Sequence, residues 1–275
     1  MKASKTLYVS DLDETLLKSD ERLSPFTVNT INTLVERGMI FTFATARSLK
    51  TALEVTQGLS PRLPVITYNG TFIIESGTQK ILHSTGFPAA EVQAILSALR
   101  LGELSPMVRT LTHGKDRIFY DPTAVTPAMK RYLDRRIGDD RLTKLSNGEA
   151  YPNENVFCFT CMDEKEKLLR VQSALTGMGT FRIHCLHDVY TDSDWLEIQP
   201  TAATKSNAIL ALKELLGCDR VICFGNGIND VSMFEIADEC YAVANAEEPL
   251  KAIATAVIDS NDEDGVAKWL AENYR

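Results

Sequence analysis

The sequence predicts an α/β fold: a doubly wound parallel-sheet core built from both ends of the chain, with an α+β domain inserted between them. Three observations carry this expectation. Short, continuously apolar runs alternate with amphipathic helical patterns from the N-terminus to about residue 80. The alternation breaks between His83 and Asp188, and it resumes from "WLEIQP" to the C-terminus. Strands that are apolar along their whole length suit a parallel sheet covered on both faces. The boundaries follow: 1–82 and 189–275 for the core, 83–188 for the insertion.

Taken in order, "TLYVS" is the first strand. "SPFTVNTINTLVERG" is a punctuated helix, with Ser24 as N-cap, Pro25 at the first helical position and Gly38 beyond the last turn. Val28, Ile31, Leu34 and Val35 share its apolar face. "MIFTFAT" is the next strand, "SLKTALEVTQGL" a helix capped by Ser48, and "PVITY" a third strand. Asn69-Gly70 then signals a hairpin between two β-rich runs. The insertion reads as helix, strand near "RIFY", helix, strand "NVFCFTC", helix and strand "TFRIHC". The core resumes with strand "WLEIQP", helix "TKSNAILALKELLG" and strand "RVICFG". Helix "DVSMFEIA", strand "CYAVA", helix "EPLKAIA", strand "AVIDS" and a closing helix "DGVAKWLAENY" complete it.

A formal net charge of -8, with no run of Lys or Arg, argues against nucleic acid and anionic membranes as partners. No apolar run approaches the ~20 residues of a membrane span. The N-terminal "MKASKTLYVSDLD" enters a strand without a signal-peptide core, so the expected location is the cytoplasm. The six cysteines lie mostly in apolar stretches and read as buried free thiols, including the Cys158 and Cys161 of "CFTC". "HCLHD", His184 to Asp188, holds potential ligands but has no second cluster to complete a metal site.

Ligands of a doubly wound sheet bind beyond the carboxyl ends of its strands. After the first strand come Asp11, Asp13 and Thr15; after the second, Thr45, Ala46 and Arg47; after the third, Asn69 and Gly70. After "RVICF" comes "GNGIND", with Asn226, Asn229 and Asp230, and Lys205 opens the helix after "WLEIQP". Oxygen ligands from several loops suit a hard cation such as Mg2+, and Arg47, Lys205 and helix-start amides suit a phosphate. A carboxylate there can attack phosphorus, while a second acid protonates the leaving oxygen and then activates water. Alternation along an extended segment lets Asp11 and Asp13 face one ligand.

These residues resemble the motifs of the haloacid-dehalogenase (HAD) superfamily, and within it the Cof-type phosphatases with a type-IIB cap. "DLDETLL" is similar to D-x-D-x-T, "FATAR" to the second motif, "LEIQPTAATKSNAI" to the Lys-centred third and "FGNGINDVSMFEIA" to the fourth, G-D-x-x-N-D. "ITYNG" and the ending "AVANAEEPLKAIA" with "NDEDGVAKWL" resemble Cof-type segments, so the likeness spans nearly the whole chain. The resemblance implies a Rossmann-like HAD core and a Mg2+-dependent phosphatase working through an aspartyl-phosphate. It implies Asp11 as nucleophile and Mg2+ ligand, and Asp13 as general acid/base whose carbonyl also binds Mg2+. Thr45 and Lys205 would hold phosphate, with Lys205 also neutralising Asp11. Asn229 would position phosphate, Asp230 would complete the metal environment, and Ala46, Arg47, Asn69 and Gly70 would lie at the substrate. The insertion would be a cap that selects the leaving group of a small phosphorylated metabolite, with sugar phosphates the family-level expectation. The cap side chains Arg109, Lys115 and Arg117 are candidates to meet that group. A monomer or homodimer is expected.

Three positions depart from the family pattern. Ala46 stands where Gly is usual, at little cost if its backbone angles are ordinary. Glu14 stands where Gly is common after the second Asp, and is expected to point outward. Asn226 replaces the first acid of the fourth motif, which predicts weaker Mg2+ binding, with Asp230 moving in or acting through water. Two alternatives stay open: a hexose-phosphate mutase, and a catalytically impaired phospho-ligand binding protein.

Overall fold

The computed structural model describes residues 5–60, 64–112, 115–179, 181–188 and 193–274. The chain divides into two compact units, one formed by 1–84 and 203–275 and the other by 85–202.

The first unit begins with β1 (Thr6–Ser10), α1 (Pro25–Glu36), β2 (Ile40–Phe43), α2 (Leu49–Val55), β3 (Pro64–Thr67), β4 (Phe72–Glu75) and β5 (Ile81–Ser84). The Ser24 hydroxyl accepts from the Thr27 N–H at 3.0 Å, and Ser48 accepts from Thr51 at 3.2 Å, so both predicted caps start their helices. The second unit supplies α3 (Ala89–Leu101), β6 (Pro106–Thr112), β7 (Lys115–Tyr120), α4 (Pro127–Asp134), β8 (Leu142–Lys144), β9 (Val156–Met162), α5 (Lys165–Leu175), β10 (Phe181–Asp188) and β11 (Ser193–Pro200). The chain returns to the first unit with α6 (Lys205–Leu216), β12 (Arg220–Gly225), α7 (Val231–Glu235), β13 (Glu239–Val243), α8 (Glu248–Ile253), β14 (Ala256–Ile258) and α9 (Gly265–Asn273).

The core sheet has the order β14-β13-β12-β1-β2, with every pairing parallel. Its central strands are buried almost throughout, as a sheet with helices on both faces demands. Helix α1 packs on α9, and α6 on α7. The chain runs outward from β1 to β2, then re-enters on the other side of β1 at β12. The strand order therefore reverses between β1 and β12, and the crevice beyond their carboxyl ends is where such a fold binds ligands.

Two strands differ from expectation. "PVITY" is not a strand of the five-stranded core sheet: among the described residues one parallel bridge, Ala44 to Ile66, joins it there, and β3 forms a small antiparallel sheet with β4 and β5. Pro64 has no N–H to offer a ladder, and its carbonyl is taken by the Thr42 hydroxyl at 2.5 Å. "WLEIQP" is not a core strand. It lies in β11, which pairs antiparallel with β10 over eight residue pairs and with β9 on its other side. The connection between β10 and β11 is only residues 189–192, so an antiparallel hairpin partner is at hand, whereas a parallel core strand needs a long crossover. The second unit consequently ends at 202, not 188.

That unit is an antiparallel sheet, β10-β11-β9-β6-β7-β8, whose last pair alone is parallel. β6 does not appear among the strands expected from the sequence; it forms a hairpin with β7, whose turn residues 113–114 lie outside the described residues. Adjacent residues of β6 face opposite ways: Val108 packs into a cluster with Val92, Leu99 and Leu168 of α3 and α5, Met107 into one with Met129 and Tyr132 of α4. Cys158 and Cys161 are buried free thiols in β9, and burial pushes Cys158 up to about 12, which removes the thiolate that redox chemistry needs. Among the described residues no group of three His, Cys, Asp or Glu is arranged to hold a metal; the Asp188 side chain of "HCLHD" lies outside them. Among the described residues, too, no helix is long and apolar enough to cross a membrane.

Candidate active site

Asp11 follows β1 directly. Its N–H still bonds the Phe224 carbonyl of β12 at 2.9 Å, which fixes it at the point where the strand order reverses. Residues 12–16 then make one wide turn, closed by the Leu17 N–H on the Leu12 carbonyl at 2.9 Å. Inside it Asp13 is extended (φ -67, ψ 129) and Glu14 is left-handed (φ 53, ψ 15). The turn drops Leu12, Leu16 and Leu17 into the core and leaves Asp13 half-exposed.

Lys205, the first residue of α6, is buried and reaches two carboxylates. Its Nζ donates to Asp11 Oδ1 at 2.5 Å and to Asp230 Oδ1 at 2.7 Å. The start of its helix is set by Gly70. That residue has φ 98, and a Cβ there would lie 2.0 Å from the Thr204 carbonyl oxygen, so only glycine permits this approach. Gly70 thus acts on the site by packing against backbone.

Asp230 is buried and already engaged. Its Oδ2 accepts the N–H groups of Asn226 and Gly227 at 3.0 and 3.1 Å, which folds the "GNGIND" loop around it. Lys205 and the loop amides thus hold both Asp230 oxygens. Asn226 directs Oδ1 to the Thr15 hydroxyl at 3.1 Å and Nδ2 to Glu14 Oε2 at 3.3 Å.

Two buried carboxylates thus share one buried ammonium. Burial pushes the Asp11 carboxyl up, Lys205 pulls it down and the Asp230 charge pushes it up again; it settles at about 7. Burial alone would lower the Lys205 pKa, but attraction and hydrogen bonds from both carboxylates hold it above its ordinary value. Lys205 is therefore a fixed positive charge, and the site carries more negative charge than it balances.

Asp13 has a different partner. The Arg47 Nε lies 2.9 and 3.1 Å from its two oxygens, and a terminal guanidinium nitrogen lies 2.5 Å from Oδ1 and 2.7 Å from Glu21 Oε2. The bond to Asp13 is the largest influence raising the Arg47 pKa. Arg47, expected at the substrate, is here spent on Asp13 and Glu21. Thr45 is buried, and its hydroxyl accepts the Arg47 N–H at 3.1 Å. The Asn69 N–H bonds the Thr45 carbonyl at 2.9 Å and the Tyr68 N–H bonds that of Arg47 at 3.0 Å, which ties the two loops together. Tyr68 and Asn69 are both left-handed, at φ 50 and 53. Ala46 is not among the residues with positive φ, so its Cβ is accommodated without strain where the family pattern has Gly.

Asp11, Asp13, Glu14, Asn226, Asn229 and Glu247 line one cleft of about 330 Å³. In the second unit, Arg117 donates to the Asp140 carbonyl at 2.7 Å, Arg109 lies 3.4 Å from the Tyr132 hydroxyl, and Lys115 is exposed.

Comparison with known proteins agrees with this geometry. A family model described as haloacid dehalogenase-like hydrolase matches residues 8–270. An HMP-PP phosphatase of Serratia proteamaculans is 29% identical over 264 residues, covering 94% of this chain and 92% of its own. A 5-amino-6-(5-phospho-D-ribitylamino)uracil phosphatase of Bacillus subtilis is 24% identical and covers 100% and 99%. A solved haloacid dehalogenase-like hydrolase from Bacteroides thetaiotaomicron shares the fold, with a TM-score of 0.73, 24% identity and coverage of 98% and 100%. With its core sheet reversing at Asp11 and its match running from the first strand to the last helix, this chain belongs to the haloacid dehalogenase-like hydrolases.

Proposed function

We propose that the chain is a phosphatase that hydrolyses a small phosphomonoester, with a sugar phosphate as the first class to test. The observation that carries this reading is the buried contact of Lys205 with Asp11 and Asp230 at the reversal point of the sheet. The full-length relatives, named as phosphatases, support it.

Asp11 attacks phosphorus, forming an aspartyl-phosphate as the bond to the leaving oxygen breaks, and Asp13 gives that oxygen a proton. Asp13 then takes a proton from water, whose oxygen attacks phosphorus and frees Asp11 and inorganic phosphate. Lys205 keeps Asp11 aimed and partly neutralised, so that the carboxylate can approach an anion. Thr45 would hold the transferring phosphate, and Asn229, which lines the cleft, would help to position it. The inserted unit selects the leaving group.

A divalent cation fits the residues present. Two buried carboxylates share the single Lys205 ammonium, and the donors on offer are hard oxygens. Asp11, the Asn226 amide oxygen and the Asp13 main-chain carbonyl would hold Mg2+, with Asp230 behind them. When bound, Mg2+ neutralises phosphoryl charge as a Lewis acid.

The test is release of free phosphate from an aryl phosphate and from a panel of phosphorylated metabolites. Turnover abolished by Asp11→Asn supports the reading. Isomerised sugar phosphate without free phosphate would mark a mutase. Ligand binding with no turnover in the unaltered protein would mark a binding protein, the reading that Asn226 favours.

A further inference from the structure

Glu14 occupies a costly position. Its φ of 53 is left-handed, a conformation that disfavours a residue with a Cβ relative to glycine. The side chain is exposed, as the sequence suggests, and from there Glu14 Oε2 meets Asn226 Nδ2 at 3.3 Å. The backbone is held as well, since Asn245 Nδ2 donates to the Glu14 carbonyl at 2.8 Å.

The chemistry of this contact is one-directional. A carboxylate only accepts hydrogen bonds, so the group that Asn226 turns toward Glu14 is its NH2. The amide oxygen is then the atom facing Thr15, at 3.1 Å, and it is the atom able to bind a hard cation. An aspartate at 226 would bring its own charge but would set two carboxylates against each other. The chain instead has an amide at 226 and an acid at 14, both lining the cleft that contains Asp11.

We propose that Glu14 supplies to this cleft the negative charge that Asn226 withholds, and that the two side chains act as one unit in holding a divalent cation. This rests on the cation reading of the cleft given above. Glu14 acts through its charge and by fixing the orientation of the Asn226 amide, and so is a positioning residue.

Mn2+ titration followed by electron paramagnetic resonance tests this without reference to turnover. In the full chain, Asp11→Asn identifies the signal that belongs to the cleft. Glu14→Gln keeps shape and hydrogen bonding but removes charge, and is expected to weaken Mn2+ binding about tenfold. Glu14→Gly, which suits the left-handed backbone, loses both and weakens binding at least as much. The double variant Glu14→Gln with Asn226→Asp is expected to return to within about threefold of the unaltered protein, because the charge is restored from the other side. Unchanged Mn2+ binding in both Glu14 variants overturns the inference and leaves the cation reading intact. No Mn2+ binding in the unaltered protein overturns the cation reading and the inference together.

Discussion

Lys205 Nζ lies 2.5 Å from Asp11 Oδ1, with both side chains almost wholly shielded from water. The contact joins residues 194 positions apart, the ends of two different core segments. Because Asp230 is bound to the same ammonium, removing that ammonium strands two buried carboxylates together. Lys205→Met is therefore expected to cost about 3–5 kcal/mol, the scale for breaking a buried charge pair. Urea unfolding of the variant against the unaltered protein measures it.

Asp13 and Arg47 form a more open pair, with side-chain exposures of 44% and 20%, so water screens it. Asp13→Asn should change stability by no more than about 1 kcal/mol. Its effect on turnover should be far larger, a fall of about 10²–10⁴ in kcat if it moves the protons. Arg47→Lys keeps the charge but loses the fork that grips both oxygens, and is expected to lower kcat by a smaller factor. Steady-state kinetics alongside thermal melts separate the two effects.

Gly70→Ala tests the link between the Tyr68–Gly70 turn and the start of α6. The added Cβ would collide with backbone, which cannot swing aside like a flexible side chain, in a conformation that also disfavours alanine. A loss of at least about 2 kcal/mol is expected, together with lower activity from a displaced Lys205. Ala46→Gly, one loop away, should do little to either.

Glu239 sets a pH-dependent increment. The Tyr241 hydroxyl bonds its charged form and Arg220 adds to this, while burial opposes them; the outcome is a pKa below the ordinary 4.5. A group depressed on folding adds stability above its unfolded pKa and loses it as pH falls through the folded one. Glu239→Gln should thus cost up to about 1 kcal/mol at pH 7, little because the group is partly open to water. The difference from the unaltered protein should vanish well below pH 4.5. Urea midpoints at pH 7 and at pH 3 check both ends.

Much of this site was legible because each of its residues follows a strand. Asp11, Thr45 and the "GNGIND" loop could be placed from apolar runs alone, and Ser24 and Pro25 marked a helix start that the structure keeps. What was not legible is pairing. Nothing in the sequence says that Arg47 turns to Asp13, or that Glu14 meets Asn226 across 212 residues. Glu14 could have been suspected of strain, since it stands where the family pattern has glycine. β11 was misplaced because an apolar run before a capped helix looks the same whether its neighbours are parallel or antiparallel. The short connection at 189–192 was the signal to weigh, since it can close a hairpin but cannot cross a sheet.

The central strand of the core has a consequence for synthesis. β1 is made long before one of its two neighbours, which begins at Arg220, opposite Thr6. At about 5–20 residues per second, β12 leaves the ribosome some 10 to 40 s after β1. During that interval one apolar edge of β1 stands open to other chains. The inserted unit has its own sheet and apolar clusters, and can form while the first waits. Asp11 meets Lys205 and Asp230 only once both have been made, so a chain stalled or truncated before α6 would leave the ribosome with Asp11 unpaired and its central strand uncovered.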